Sequence, residues 1–224
     1  MFNSVWEKVF TSQSWGKYPS EDLIRFVARN FYNKPQRQDI HILEVGCGPG
    51  ANIWFLAREG FSFVGIDGSQ SAIDQASTRL DQEIPDWRAR GSLHVAEIEK
   101  LPFADRQFDA VIDHECVYCN SYKSSLRIYG EMTRVLKPGG KLFSRTFEQG
   151  SWGDGSGTKV EENCFICSEG PLAGKGPSRF TAADAVPALI GPSIQIDSIE
   201  RITRTEQAMQ HEIRELIILG TRIA

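Results

Sequence analysis

The residues best suited to chemistry begin at Glu44-Val45-Gly46-Cys47-Gly48-Pro49-Gly50. Glycines so closely spaced let the backbone turn tightly and let a ligand lie against it, because no Cβ stands in the way. Asp67 follows 21 residues after Gly46, and a carboxylate at the end of the next strand can accept both hydroxyls of a ribose. Spacing alone leaves the ligand open. Gly46, Gly48 and Ala51 also satisfy the dinucleotide fingerprint G-x-G-x-x-G/A, and the same glycines can form a tight turn with no ligand at all.

Other chemistry-bearing residues are sparser. Of the four histidines, His114 stands directly after Asp113 at the end of the apolar run FDAVID. Its ordinary pKa near neutrality makes it the candidate base, against the alternative that it bonds to backbone. His41 and His94 fall inside strand patterns, and His211 opens the last one. Cys116 with Cys119, and Cys164 with Cys167, form two C-x-x-C pairs that together could give zinc four thiolates. Neither pair has a glycine or polar knuckle beside it, and Cys164–Cys167 reads as extended chain, where residues three apart face opposite ways. No metal is expected. A redox pair at 116/119 lacks the usual small-domain context.

These groups need elements to position them. Residues 20–31 read as a helix capped by Ser20, with Glu21 and Asp22 at its positive end and Ile24, Val27, Ala28 and Phe31 inward. IHILEV (40–45) is a buried strand that runs into the glycine loop. Helix 51–59 follows and ends at Gly60. FSFVGID (61–67) is the second strand. Ser69 caps a helix over 70–80, with Ile73, Ala76 and Leu80 inward. SLHVAEI (92–98) and FDAVID (108–113) are the third and fourth strands. A helix over 122–136 buries Leu126, Tyr129, Met132, Thr133 and Leu136 and stops at Pro138-Gly139-Gly140, and KLFSRTF (141–147) is the fifth strand. A helix near 181–190 and strands near 194–202 and 212–220 complete the chain, the last two pairing antiparallel. Alternating strands and helices imply a doubly wound α/β layer: a mostly parallel seven-stranded sheet, helices on both faces and an antiparallel last strand. A ligand belongs at the carboxyl ends of its first strands.

The ordered set ILEVGCGPG, VGIDGS, AEIEKLPFADRQFDAVID and RVLKPGGKL resembles the class I, Rossmann-like S-adenosylmethionine-dependent methyltransferases over about residues 40–147. The resemblance implies the following roles. Gly46, Gly48 and Gly50 bend around the methionine part of the cofactor, and Glu44 orients its amino group or the loop. Asp67, followed by Gly68, holds the ribose. Glu97, where this family often has Asp, accepts from the adenine amine, and Ile98 gives a backbone N–H and an apolar wall. Asp113 helps hold the cationic end of methionine. His114 is the base if the acceptor must lose a proton, and Tyr18, Tyr118, Arg145 and Trp152 shape the acceptor pocket. Lys137-Pro138-Gly139-Gly140 is a structural turn. The LPF and LKPGGKL elements disfavour a nicotinamide oxidoreductase, which stays open as an alternative, as does a non-catalytic cofactor-binding module.

Two segments lie outside the motifs. Residues 1–35 are expected to form a helical cap, with Trp6, Phe10, Trp15 and Tyr18 either a lid over the cofactor or plain packing. Within the main domain, 36–224, the glycine-rich stretch 147–179 is expected to form an arm that shapes the acceptor pocket, against the alternative of a flexible surface loop.

Composition narrows the partners. The chain is 41% hydrophobic and 24% charged, with 25 basic and 29 acidic residues and a net charge of −4. No basic patch suits a nucleic-acid backbone. No run approaches the ~18 apolar residues of a membrane helix. The start MFNSVWEKVF lacks a basic region ahead of a long apolar run, so a cytoplasmic location and reduced cysteines are expected. The expected acceptor is a small molecule, handled by a monomer or homodimer.

Overall fold

A computed structural model describes residues 3–13 and 15–224. The chain runs α1 (Val5–Ser12), α2 (Glu21–Phe31), β1 (His41–Val45), α3 (Ala51–Arg58), β2 (Ser62–Asp67), α4 (Gln70–Glu83), β3 (Gly91–Val95) and β4 (Phe108–His114). It continues through α5 (Tyr122–Val135), β5 (Leu136–Phe147), β6 (Thr158–Glu161), β7 (Cys164–Ile166), β8 (Pro177–Arg179), α6 (Val186–Ile190), β9 (Ile194–Glu206) and β10 (His211–Arg222).

Seven strands form one sheet in the order β3-β2-β1-β4-β5-β10-β9. The first five pair in parallel, and β10 runs antiparallel to both its neighbours. The order reverses between β1 and β4, so their carboxyl ends open the crevice where ligands bind in such sheets. Successive strand residues point to opposite faces. Ile42, Ala110 and Ile112 therefore pack on one side with α2, α3 and α4, while Leu43, Val111 and Leu142 pack on the other with α5 and α6.

Several elements depart from the sequence reading. The inner stripe of α2 is Leu23, Phe26, Val27 and Phe31, and Ile24 is exposed. The period is the one read, but turned by one position, which buries Leu23 and Phe26 in place of Ile24 and Ala28. Likewise α5 buries Ser125, Ile128, Tyr129, Met132 and Val135, while Leu126 is exposed. The helix ends before Pro138: Leu136 already pairs with Phe108, and residues 137–140 bulge out before Lys141 pairs with Ala110. β3 ends at Val95, leaving Ala96-Glu97-Ile98 as a turn. The helix read near 181–190 shrinks to five residues between Pro187 in its first turn and Gly191 at φ 90°. β6, β7 and β8 form a separate three-stranded sheet inside the glycine-rich stretch.

Candidate active site

At the carboxyl ends of β1, β2 and β4 lies a cavity of about 380 Å³. The glycine loop forms its floor. Gly46 has φ 66°, and a Cβ placed on it would stand 2.0 Å from Cys116 Sγ, so both conformation and space demand glycine. The Gly48 N–H lines the same loop and donates to Asp67 Oδ2 at 2.9 Å. The Ser69 N–H donates to Asp67 Oδ1 at 2.8 Å. Burial raises the Asp67 carboxyl above its ordinary pKa, opposed by these backbone donors. Gly50 is different. It does not line the cavity; at φ 82° its missing Cβ lets α4 close in, with Ala76 Cβ 2.8 Å from where that atom would be. It tightens helix packing and does not touch the ligand space.

Glu44 is 2% exposed and lines the cavity. Its Oε1 accepts from Asn52 Nδ2 at 2.6 Å, while Oε2 has no partner among the described residues. Burial, with the nearby charges of Asp67 and Asp113, lifts its pKa to about 8, against the pull of Asn52. A buried carboxylate oxygen without a donor costs free energy until a cation or donor meets it. It fits the ammonium of an amino-acid moiety. Gly68, Glu97 and Ile98 continue the wall on this side, the last two because β3 stops early and its chain turns across the opening.

Asp113 corrects the reading of a cofactor ligand. It is fully buried and does not line the cavity. Its Oδ1 accepts from the N–H groups of Cys116 and Val117, and its Oδ2 from the hydroxyls of Ser144 and Tyr129. It ties β4, β5 and α5 together beneath the site. Ser20, read as a helix cap, makes no side-chain cap; its hydroxyl lies 2.9 Å from His114 Nε2. His114 does line the cavity, with its ring stacked on Phe143. Burial and the charge of Arg145 press its pKa down to about 4, so it is neutral and weakly basic at neutral pH.

Of the residues read as acceptor contacts, Tyr18 and Tyr118 line the cavity. Arg145 does not: its guanidinium is spent on Asp22 at 3.2 Å, Glu115 at 3.1 Å and Glu215 at 2.6 Å. Trp152 also lies elsewhere, stacked on His211 with centroids 4.0 Å apart. Sequence reasoning missed Asn52, Glu115, Asn120, Lys175 and Arg204, all of which face the cavity. Asn52 left a trace, being a polar residue in the first turn of an otherwise apolar helix. Arg204 left none, since it lies more than 150 residues from the glycine loop. Cys47, Cys116 and Cys119 line the cavity too, whereas Cys164 and Cys167 are buried in the arm. Among the described residues, no three His, Cys, Asp or Glu side chains gather as a metal would need.

Two further segments contribute to the cavity lining. Trp6, Phe10 and Trp15 form an edge-packed aromatic cluster. Glu7 of α1 accepts from Ser69 Oγ at 2.5 Å and from Ser71 Oγ, and Gln75 of α4 donates to the Phe10 carbonyl at 2.7 Å. From the glycine-rich stretch, Lys175 sits 5.1 Å from the Trp15 ring centroid, and Leu172 joins Tyr118 and Phe147 in a small apolar cluster.

Residues 42–140 match the family described as a methyltransferase domain. Over 117 residues the chain is 38% identical to the probable methyltransferase ltbC of Aspergillus luteorubrus, covering 49% of this chain and 41% of that one. The chain spans less than half the length of the curated relatives it matches. Its fold superposes on a SAM-dependent methyltransferase of Methanosarcina mazei with a TM-score of 0.72 at 21% identity, covering 92% of this chain and 99% of that one. It also superposes on the 1,6-didemethyltoxoflavin-N1-methyltransferase of Burkholderia thailandensis, bound to 1,6-didemethyltoxoflavin and S-adenosylhomocysteine, with a TM-score of 0.64 at 14% identity, covering 99% of this chain and 88% of that one. The cavity lies at the switch point of this sheet, with Glu44 and Asp67 near the ends of two adjacent strands. Over residues 42–140 the chain is similar to a methyltransferase domain, on a fold it shares with S-adenosylmethionine-dependent methyltransferases.

Proposed function

We propose that the protein transfers a methyl group from S-adenosylmethionine to a small-molecule acceptor. The observation that carries this is the pairing, on one cavity wall, of Asp67 with the unsatisfied Oε2 of Glu44. Glu44, steadied by Asn52, holds the ammonium of the cofactor, Asp67 holds its ribose hydroxyls, and Glu97 with Ile98 flanks the adenine. When bound, the cofactor supplies an electrophilic methyl carbon already activated by its sulfonium. What remains for the chain is to orient the acceptor and keep water out. Residues 1–35 act as the lid, with Trp6, Phe10 and Trp15 over the cavity, where aromatic faces favour a cation. Residues 147–179 supply the arm on the acceptor side through Leu172 and Lys175. The acceptor is a small metabolite bearing a protic nucleophile. No helix of the described residues is long and apolar enough to cross a membrane, and we place the protein in the cytoplasm.

Calorimetry with S-adenosylmethionine, S-adenosylhomocysteine and NAD tests this, with Asp67→Ala beside the parent. Both sulfur ligands should bind, NAD should not, and Asp67→Ala should lose affinity. Binding of NAD alone would overturn the reading.

A further inference from the structure

Directly after β4, Glu115 takes a left-handed backbone at φ 60°. Such a conformation at a non-glycine residue costs free energy and persists where its surroundings enforce it, often at functional sites. Glu115 lines the acceptor side of the cavity, and 31% of its side-chain surface remains open.

Four elements contribute charge around it, and a fifth a neutral imidazole. Arg145 of β5 lies 3.1 Å from Glu115. Glu215 of β10, only 1% exposed, receives Arg145 at 2.6 Å and Arg204 of β9 at 2.7 Å. Asp22 of α2 takes the remaining face of Arg145, and neutral His114 precedes Glu115 in β4. Tyr118 and Cys119, just beyond Glu115, are neutral as well, with pKa values raised chiefly by burial. With Glu206 3.5 Å from Arg204, four carboxyl groups thus share two guanidinium groups, and Glu115 meets Arg145 where Glu215 meets both. Burial and then the charge of Glu215 push the Glu115 carboxyl well above the ordinary range. Burial would do the same to Glu215, but the Arg145 bond and charge hold it low. Two carboxylates at one site divide in this way, one keeping a proton near neutrality.

We propose that Glu115, and not His114, takes the proton released by the acceptor, and that the acceptor group is therefore a hydroxyl. This rests on the methyl-transfer reading. A neutral amine attacks through its own lone pair, whereas a hydroxyl gains most from a base. In the step, a lone pair of the hydroxyl oxygen forms the bond to the methyl carbon. The carbon–sulfur bond breaks with its pair left on sulfur, and the hydroxyl proton passes to the Glu115 carboxylate. A cation and a carboxylate disappear together, which suits a cavity closed to water.

The test needs no acceptor. Proton exchange on binding S-adenosylmethionine and S-adenosylhomocysteine is measured on the full chain at neutral pH, by calorimetry in buffers of differing ionisation enthalpy. The two ligands differ by one methyl and one positive charge. The cation favours ionised Glu115, so S-adenosylmethionine should release a fractional proton that S-adenosylhomocysteine does not. Glu115→Gln should abolish the difference, and His114→Gln should keep it. Should Glu115→Gln fail to fold, difference infrared spectra of the parent give the same answer: the protonated-carboxyl band should weaken more with the first ligand than with the second, the part common to both belonging to Glu44. Equal proton release by both bound ligands, or a difference that survives Glu115→Gln, overturns the proposal while leaving methyl transfer standing. Failure of both ligands to bind removes the methyl-transfer reading itself.

Discussion

The Ser20 hydroxyl and His114 Nε2 meet at 2.9 Å, joining the start of α2 to the end of β4. The contact explains why Ser20 caps no helix and why His114 is a structural neighbour of the cavity. It also gives a pH signature. The folded pKa of His114 is depressed to about 4 by burial and Arg145, against about 6.5 in an unfolded chain. The unfolded state therefore takes up the proton first. The stability tied to neutral His114 is complete above about 6.5 and is lost as pH falls towards about 4, on the order of 3 kcal/mol across that window. Denaturation at a series of pH values should show a shallower fall for His114→Gln. Parallel curves for parent and variant would remove this account of the imidazole.

Glu44 should trade stability for affinity. Its pKa rises to about 8 on folding, so its carboxyl weakens the ligand-free fold progressively as pH climbs from the unfolded value towards 8. Glu44→Gln should raise the ligand-free unfolding midpoint at pH 8 by several degrees, about 1–2 kcal/mol in a chain of this size. The difference should vanish in acid. The same variant should bind both S-adenosylmethionine and S-adenosylhomocysteine roughly tenfold to a hundredfold more weakly, because both present an ammonium. Unchanged affinity would take Glu44 out of the cofactor site.

Gly46 is constrained twice over, by its φ of 66° and by Cys116 Sγ in the space a Cβ would fill. Gly46→Ala should destabilise the fold by about 2–3 kcal/mol and weaken cofactor binding. Pairing it with Cys116→Gly, which removes both the Sγ and the Cβ that crowd this space, should recover only the steric part and leave ~1 kcal/mol of backbone strain. Full rescue in thermal unfolding would show that the left-handed conformation costs nothing there.

The sequence disclosed the sheet and the cavity wall at its switch point because both depend on local pattern. Apolar runs mark β1, β2 and β4, and glycine spacing with Asp67 marks the turn between strand and helix. Helix faces were legible to within one position, as Leu23 replacing Ile24 shows. The acceptor side was not legible, because it is assembled from distant segments. Glu115 owes its character to Glu215, a hundred residues further on, and Arg145 was spent on that pair before it could face a substrate. Asp113 misled for the opposite reason. Its place in the strand is right, but Ser144 and Tyr129 turn it inward, and neither partner announces itself in sequence.

The N-terminal segment should prove separable from the sheet. α1 is tied to α4 by polar contacts: Glu7 accepts from Ser69 and Ser71, and Ser69 Oγ in turn accepts from the Ala72 N–H to cap α4. Glu7→Lys replaces a carboxylate at the positive end of that helix with a cation, a reversal opposed by the helix dipole. Because Ser69 keeps its cap, α4 and the β-sheet should stay folded, and the unfolding midpoint should move little. The aromatic cluster of Trp6, Phe10 and Trp15 should loosen, shifting tryptophan emission towards that of exposed indole. Affinity for S-adenosylmethionine should fall by about threefold to tenfold, as expected for the loss of a partly exposed charged contact. A variant with shifted emission and undiminished affinity would show that the segment packs on the domain without covering the cofactor.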